Sequence, residues 1–100
     1  MGKIIHKSQF SLTPSSGSAS GNTSQFLNGL LREVLAKPLT GTTQYDLTIT
    51  SPEGLTIFQA TSQVGDLADE IAIPVRGVHT VSITNATVDE LFIINLVVDE

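Results

Sequence analysis

Residues 45–58 read YDLTITSPEGLTIF, and their alternation decides the class of fold. Tyr45, Leu47 and Ile49 alternate with Asp46, Thr48 and Thr50, the period-two pattern of a strand with one face toward a core and the other toward water. Ser51-Pro52-Glu53-Gly54 follows. Serine first, a proline with its φ already set second and a glycine last suit a type I turn whose final residue accepts a left-handed backbone. Leu55-Thr56-Ile57-Phe58 returns as a second strand, so the stretch predicts a β-hairpin.

Strand patterns continue on both sides of it. Residues 3–13 alternate weakly through Ile5, Phe10 and Leu12 and predict an edge strand. Residues 39–44 lead into the hairpin as a loop, and residues 59–70 predict a second loop pivoting at Gly65. Ile71-Ala72-Ile73 predicts a short strand stopped by Pro74, whose missing N–H confines it to an edge or a strand end. Beyond Gly77, residues 78–84 carry Val81 and Ile83 inward and Thr80, Ser82 and Thr84 outward. Residues 91–98, LFIINLVV, form the last strand, apolar on both faces except for Asn95. Six or seven short strands with turns at this spacing predict an antiparallel β-sandwich. With 100 residues the chain makes one domain, spanning residues 1–100, and a second core has no room.

Two stretches read less simply. Residues 14–24, PSSGSASGNTS, hold no apolar side chain larger than alanine, so burial cannot offset the entropy of ordering them. They predict a flexible loop or arm, open to an elastase-type protease near Ala19. In residues 26–37, Phe26, Leu27, Leu30, Leu31, Val34 and Leu35 recur at helical spacing, with Asn22 or Ser24 available as a cap. Against a helix stand Gly29 inside the run, Pro38 at its end and the strand character of everything downstream. Read as a strand, it sets Leu31 and Leu35 on one face and Leu30 and Val34 on the other, so both faces need covering. Pattern alone leaves both readings open.

Composition narrows the chemistry. There is no cysteine, hence no disulfide, thiolate nucleophile or Cys-ligated zinc. The formal charge is -5, and Lys3, Lys7, Arg32, Lys37 and Arg76 are scattered single charges, so nucleic acid is not an expected partner. Charged residues make up 15% of the chain, against roughly 25% in ordinary soluble domains; serine and threonine take their place, and such a surface is easily buried in an assembly. The first ten residues, MGKIIHKSQF, lack the apolar core of a signal peptide, and no apolar run reaches the roughly 18 residues of a membrane span. Neither export nor a membrane partner is expected.

The chain offers little for catalysis. His6 and His79 are the neutral-pH titrators, and neither sits in a motif; His79 shares a strand face with Val81 and Ile83, the place of a packed histidine. Asp66, Asp69 and Glu70 cluster in sequence, but not at the spacing of a calcium loop, and predict a solvated acidic loop. Asn22-Thr23-Ser24 and Asn85-Ala86-Thr87 match the glycosylation triplet and, without a secretory signal, read as turn residues. Phosphate loops and nucleophile elbows are absent. The expectation is a protein that is not an enzyme, with no catalytic residue, cofactor or metal.

The order of the pieces carries a resemblance. Gly29-Leu30-Leu31-Arg32-Glu33-Val34 ending at Pro38, then Tyr45-Asp46-Leu47-Thr48-Ile49-Thr50 with Gly54, then Val75-Arg76-Gly77, Thr80-Val81-Ser82-Ile83 and Asn85-Ala86, resemble small β-proteins from the structural-gene modules of tailed bacteriophages. The resemblance covers roughly residues 29–98. Ser51-Pro52-Glu53 replaces the acidic turn usual there, Arg76 stands where asparagine is common, and Thr87 where glycine is expected. The resemblance implies a strand over residues 29–37 and a virion component built as a β-sandwich.

Function is then expected through contact. Its expected role is a capsid decoration or cement subunit, with a neck, tail or fibre-base subunit as runner-up and a carbohydrate-binding sandwich as a third reading from another class. Its partners would be further copies of itself and virion proteins such as the major capsid protein, its location the virion. The two-faced last strand supplies the expected interface, Leu91, Ile93, Ile94, Asn95 and Val97, since exposed apolar patches of that size mark contact surfaces.

Overall fold

The computed structural model describes residues 5–23 and 27–99. They form β1 (Ile5–Leu12), β2 (Ala19–Asn22), β3 (Leu27–Pro38), β4 (Gln44–Thr50), β5 (Thr56–Val64), β6 (Leu67–Gly77), β7 (Thr80–Thr84) and β8 (Phe92–Asp99). β1 pairs with β8, β2 with β7, β3 with β6 and β4 with β5, all antiparallel. The chain is thus one long hairpin, and the stretch at residues 45–58 is its tip. Rolling that hairpin sets β3 beside β8 and β4 beside β7. Two four-stranded sheets result, β1-β8-β3-β6 and β2-β7-β4-β5. Every connection except the tip crosses from one sheet to the other, the winding of a jelly roll.

The tip closes as its residues predict. Gly54 N donates to Ser51 O at 2.9 Å and Ser51 N to Leu55 O at 2.8 Å, while Gly54 takes the left-handed φ of +88°. From there the alternation points Tyr45, Leu47 and Ile49 inward, all without solvent exposure. They meet Leu31, Val34, Phe92, Ile94 and Leu96 of the facing sheet. Tyr45 packs edge-on against Phe92 with ring centroids 4.7 Å apart, the arrangement that the ring quadrupoles favour.

Among the described residues the sandwich holds eight strands rather than six or seven, and three readings are corrected. First, residues 14–24 are not one irregular loop. Ser15 and Ser18 bond each other across a tight turn, at 2.9 and 3.2 Å, and Ser16 and Gly17 at φ 55° and 83° give it the two left-handed residues of a type I′ hairpin. Ala19–Asn22 then pairs with β7 as a sheet edge. Small residues belong here because the core is filled from elsewhere: a Cβ on Gly21 would lie 2.8 Å from Leu12 Cδ2. Ser24 and Phe26 lie outside the described residues. With Ala19 laddered to Ile83, an elastase-type protease should cut there only on unfolding; digestion time courses followed by mass spectrometry check this, and rapid early cleavage would contradict the strand.

Second, residues 59–70 are mostly strand, with β5 running to Val64 and β6 starting at Leu67. Gly65 is the pivot, at φ +73°, and a Cβ there would lie 2.8 Å from Gly41 O. β6 also continues through Pro74 to Gly77, which is permitted because β6 is an edge strand with one ladder partner.

Third, β3 is a strand, but not one of plain alternation. A bulge between Leu31 and Glu33 interrupts its register with both β6 and β8. Relative to β8, Arg32 is an extra residue, so the phase resets. Leu31 and Val34 therefore both face the core, at 0% exposure, and Leu30 and Leu35 face outward, half-buried. The bulge also explains the helix-like spacing of the apolar residues.

Candidate functional site

Three places could carry function. One end of the sandwich gathers the connections after β1, β3, β5 and β7, and carboxylates tie them together. Asp89 accepts from Ser16 N at 3.0 Å and Gly17 N at 2.9 Å. Asp46 accepts from Ser62 N at 2.7 Å and from Asn85 Nδ2 at 2.8 Å, and these two donors hold left-handed backbones, φ 53° and 55°. Glu90 accepts from Thr40 Oγ1 at 2.9 Å and from Thr43 Oγ1. The Ser62 N–H, then the Asn85 amide, hold Asp46 below the usual carboxylate range; the Thr43 hydroxyl first, helped by Thr40, does the same for Glu90 against opposing burial. These groups are fastenings, with both oxygens of Asp46 and Asp89 and Oε1 of Glu90 engaged.

Their lowered folded-state pKa values fix a pH dependence. A carboxylate depressed by folding contributes stability above its unfolded pKa and loses it as pH falls through the folded value. The melting temperature should therefore hold at neutral pH and fall below about pH 4, the ordinary carboxylate range. In Glu90→Gln it should start lower at pH 7 and fall less on acidification. Thermal melts by circular dichroism between neutral and acidic pH check both.

At the opposite end, a cleft of about 770 Å³ opens between the β4–β5 turn and the end of β6, lined by Pro52, Leu55, Ile57, Val75, Arg76 and His79 among others. His79 is buried, its ring Nδ1 3.1 Å from Gly77 O, and its backbone N donates to Thr23 Oγ1 at 3.1 Å. It is packed, as its strand face predicts. Ser51, a hydroxyl in the lining, accepts from Leu55 N at 3.2 Å and so serves the turn. Among the described residues, no hydrogen bond joins Ser51 to His79, each being engaged within its own turn.

The remaining candidates disperse. Asp66 sits in the two-residue turn before β6, while Asp69 and Glu70 are exposed strand residues, not a loop. Among the described residues no group of three or more histidine, aspartate or glutamate side chains could hold a metal ion, and no helix is long and apolar enough to cross a membrane. Asn22 is a strand residue whose Oδ1 accepts from Thr80 Oγ1 at 2.9 Å; Asn85 is a turn residue. His6 pairs through its backbone with Val98. Tyr45 and Phe92 are fully buried and Phe10 and Phe58 pack partly against the core, so no described aromatic is exposed for stacking on a sugar.

The third place is the outer face of β1-β8-β3-β6. β8 alternates strictly: Phe92, Ile94, Leu96 and Val98 are buried, and Ile93, Asn95, Val97 and Asp99 are half-buried on the outside. Ile94, expected with the interface, belongs to the core at 0% exposure, because it lies one residue out of phase with Ile93 and Asn95. Leu91 precedes the strand, 39% exposed, its carbonyl accepting from Leu39 N at 3.0 Å. Leu30 and Leu35 join Ile93 and Val97 on the outer face, and simple alternation could not have placed that pair together.

No protein-family model and no curated protein matches the chain. Among solved structures it is similar to "Structure of infectious bursal disease virus Gt strain", at 12% identity and TM-score 0.45 over 97% of this chain and 32% of that one. It is also similar to "Carbohydrate-Binding Module CBM36 in complex with calcium and xylotriose", at 11% identity and TM-score 0.40 over 100% of both chains. The chain spans about a third of the length of the viral chain it matches.

Proposed function

We propose that this chain is a non-enzymatic structural subunit of a tailed-bacteriophage virion, a capsid decoration or cement protein that associates with itself and with the major capsid protein. The observation that carries this reading is the outer face of β1-β8-β3-β6, where Leu30, Leu35, Ile93 and Val97 occupy the two central strands. A strand in a two-sheet sandwich needs one apolar face. A second apolar face is an outlay in solubility that contact with another surface offsets. The motif order over residues 29–98, the low charge content and the absence of a catalytic constellation among the described residues support the same reading. The work is mechanical: a small subunit spanning capsid seams adds buried area that must be broken before the shell opens.

Copy number per virion, by quantitative mass spectrometry against the major capsid protein, tests it. Hundreds of copies are expected. A dozen or fewer would move the chain to the neck, tail or fibre base, and absence from purified virions would end the virion reading.

A further inference from the structure

On its two central strands the outer face has a charge and side-chain pattern that matches itself. Across β8 and β3, Ile93 lies beside Lys37, Asn95 beside Leu35, and Val97 beside Glu33, in three successive outward rows. The Asn95–Leu35 row is the middle one. A half-turn about an axis along that row, lying in the plane of contact, returns the middle row to itself and exchanges the outer two. Two copies placed face to face in this way set Ile93 on the partner's Val97 and Lys37 on the partner's Glu33, twice each. Leu35 meets the partner's Leu35, and Asn95 the partner's Asn95.

From this we infer that the protein forms a two-fold symmetric dimer through the outer face of β1-β8-β3-β6, with its axis along the Asn95–Leu35 row. The inference rests on the contact reading above and names the partner as a second copy of this chain. Charge complementarity is one argument, since the opposite rotation axis, parallel to the strands, would set Val97 on a charged Glu33. The amide of Asn95 is the other. Its Oδ1 is shut off from solvent and has no hydrogen-bond partner among the described residues, a state that buried polar groups seldom keep. The terminal torsion of asparagine is soft, so the amide can turn outward and exchange N–H···O bonds with its symmetry mate. Three outward rows about 6.8 Å apart overlie one another across four strands about 4.8 Å apart, a face of about 400 Å². Two such faces come to about 800 Å², the size of a weak, transient dimer contact. Strands of the two copies then run nearly antiparallel, the aligned packing that twisted sheets adopt.

Charge reversal tests the register. Lys37 and Glu33 are four residues apart on a regular stretch of β3, about 13 Å, too far to pair within one copy. Sedimentation equilibrium of the wild-type chain should give twice its 10.6 kDa mass. Lys37→Glu and Glu33→Lys should each raise the dissociation constant at least tenfold with unchanged circular dichroism, and the double reversal should restore the dimer. An Asn95→Cys variant, in a chain with no other cysteine, should cross-link to a dimer with a short bismaleimide. A monomeric wild type, a dimer indifferent to the single reversals, or a double reversal that stays monomeric would each overturn the inference. Because these measurements use the purified chain, they can fail while the virion copy number holds, and the reverse.

Discussion

Ile94→Asp should leave the chain unfolded at 25 °C, while Ile93→Asp, one residue away, should leave it folded. Ile94 has no solvent exposure and lies in the core against the facing sheet. The substitution removes about 1.5–3 kcal/mol of apolar burial and adds several kcal/mol for an unpaired charge in a dry interior. A domain of this size has about 5–15 kcal/mol in all, so little or nothing remains. Ile93 faces outward, where water and neighbouring polar side chains can solvate a carboxylate, and its loss should show in association rather than folding. Circular dichroism and urea melts of both variants check the first half, sedimentation the second. If both variants simply unfold, the outer face is covered within the subunit and the contact reading fails.

Tyr45 should be the most costly single truncation at the hairpin. It is fully buried, stacks edge-on against Phe92 and donates from its hydroxyl to Gly65 O at 2.8 Å. Tyr45→Ala should cost about 3–5 kcal/mol through lost burial and the cavity left behind. Tyr45→Phe keeps the ring and leaves one carbonyl unpaired, for about 1–3 kcal/mol. Burial, and next the nearby Asp66 charge, push the Tyr45 phenol up to about 12 from 10.0. A neutral acid with a raised folded pKa contributes stability that is fully present below the unfolded value and lost as pH rises through the folded one. Stability should therefore drop between about pH 10 and 12, and Tyr45→Phe should lose this alkaline limb. Urea midpoints against pH for the two proteins would show it.

What could be read in advance follows from where side chains, rather than backbone, set the structure. Tyr45, Leu47 and Ile49, and later Val81 and Ile83, announce their strands because alternation is the signature of one buried face. The same rule failed at β3, where the bulge at Leu31/Glu33 resets the phase and makes a strand look helical. It failed at β2 for a different reason. Ala19-Ser20-Gly21-Asn22 has no apolar pattern because Leu12 fills the space above Gly21 and the backbone ladder supplies the order. Loop fastenings such as Asp46 to Ser62 and Asn85, or Asp89 to Ser16 and Gly17, join residues up to 73 positions apart, and only the rolled topology brings them together. On the outer face, the double apolar character of the last strand marked Ile93, Asn95 and Val97 only together with Ile94, since it does not say which of two apolar faces turns inward. Leu30 and Leu35 were not, since their shared face exists only because of the bulge.

The proposed mechanical role is tested most directly by heating phage particles that lack this chain and recording the temperature at which they release DNA. Reinforcement across capsid seams predicts a release temperature below that of complete particles, restored when the purified chain is added back and not restored by Ile93→Asp. Particles that release DNA at the same temperature with and without the chain would contradict a cementing function.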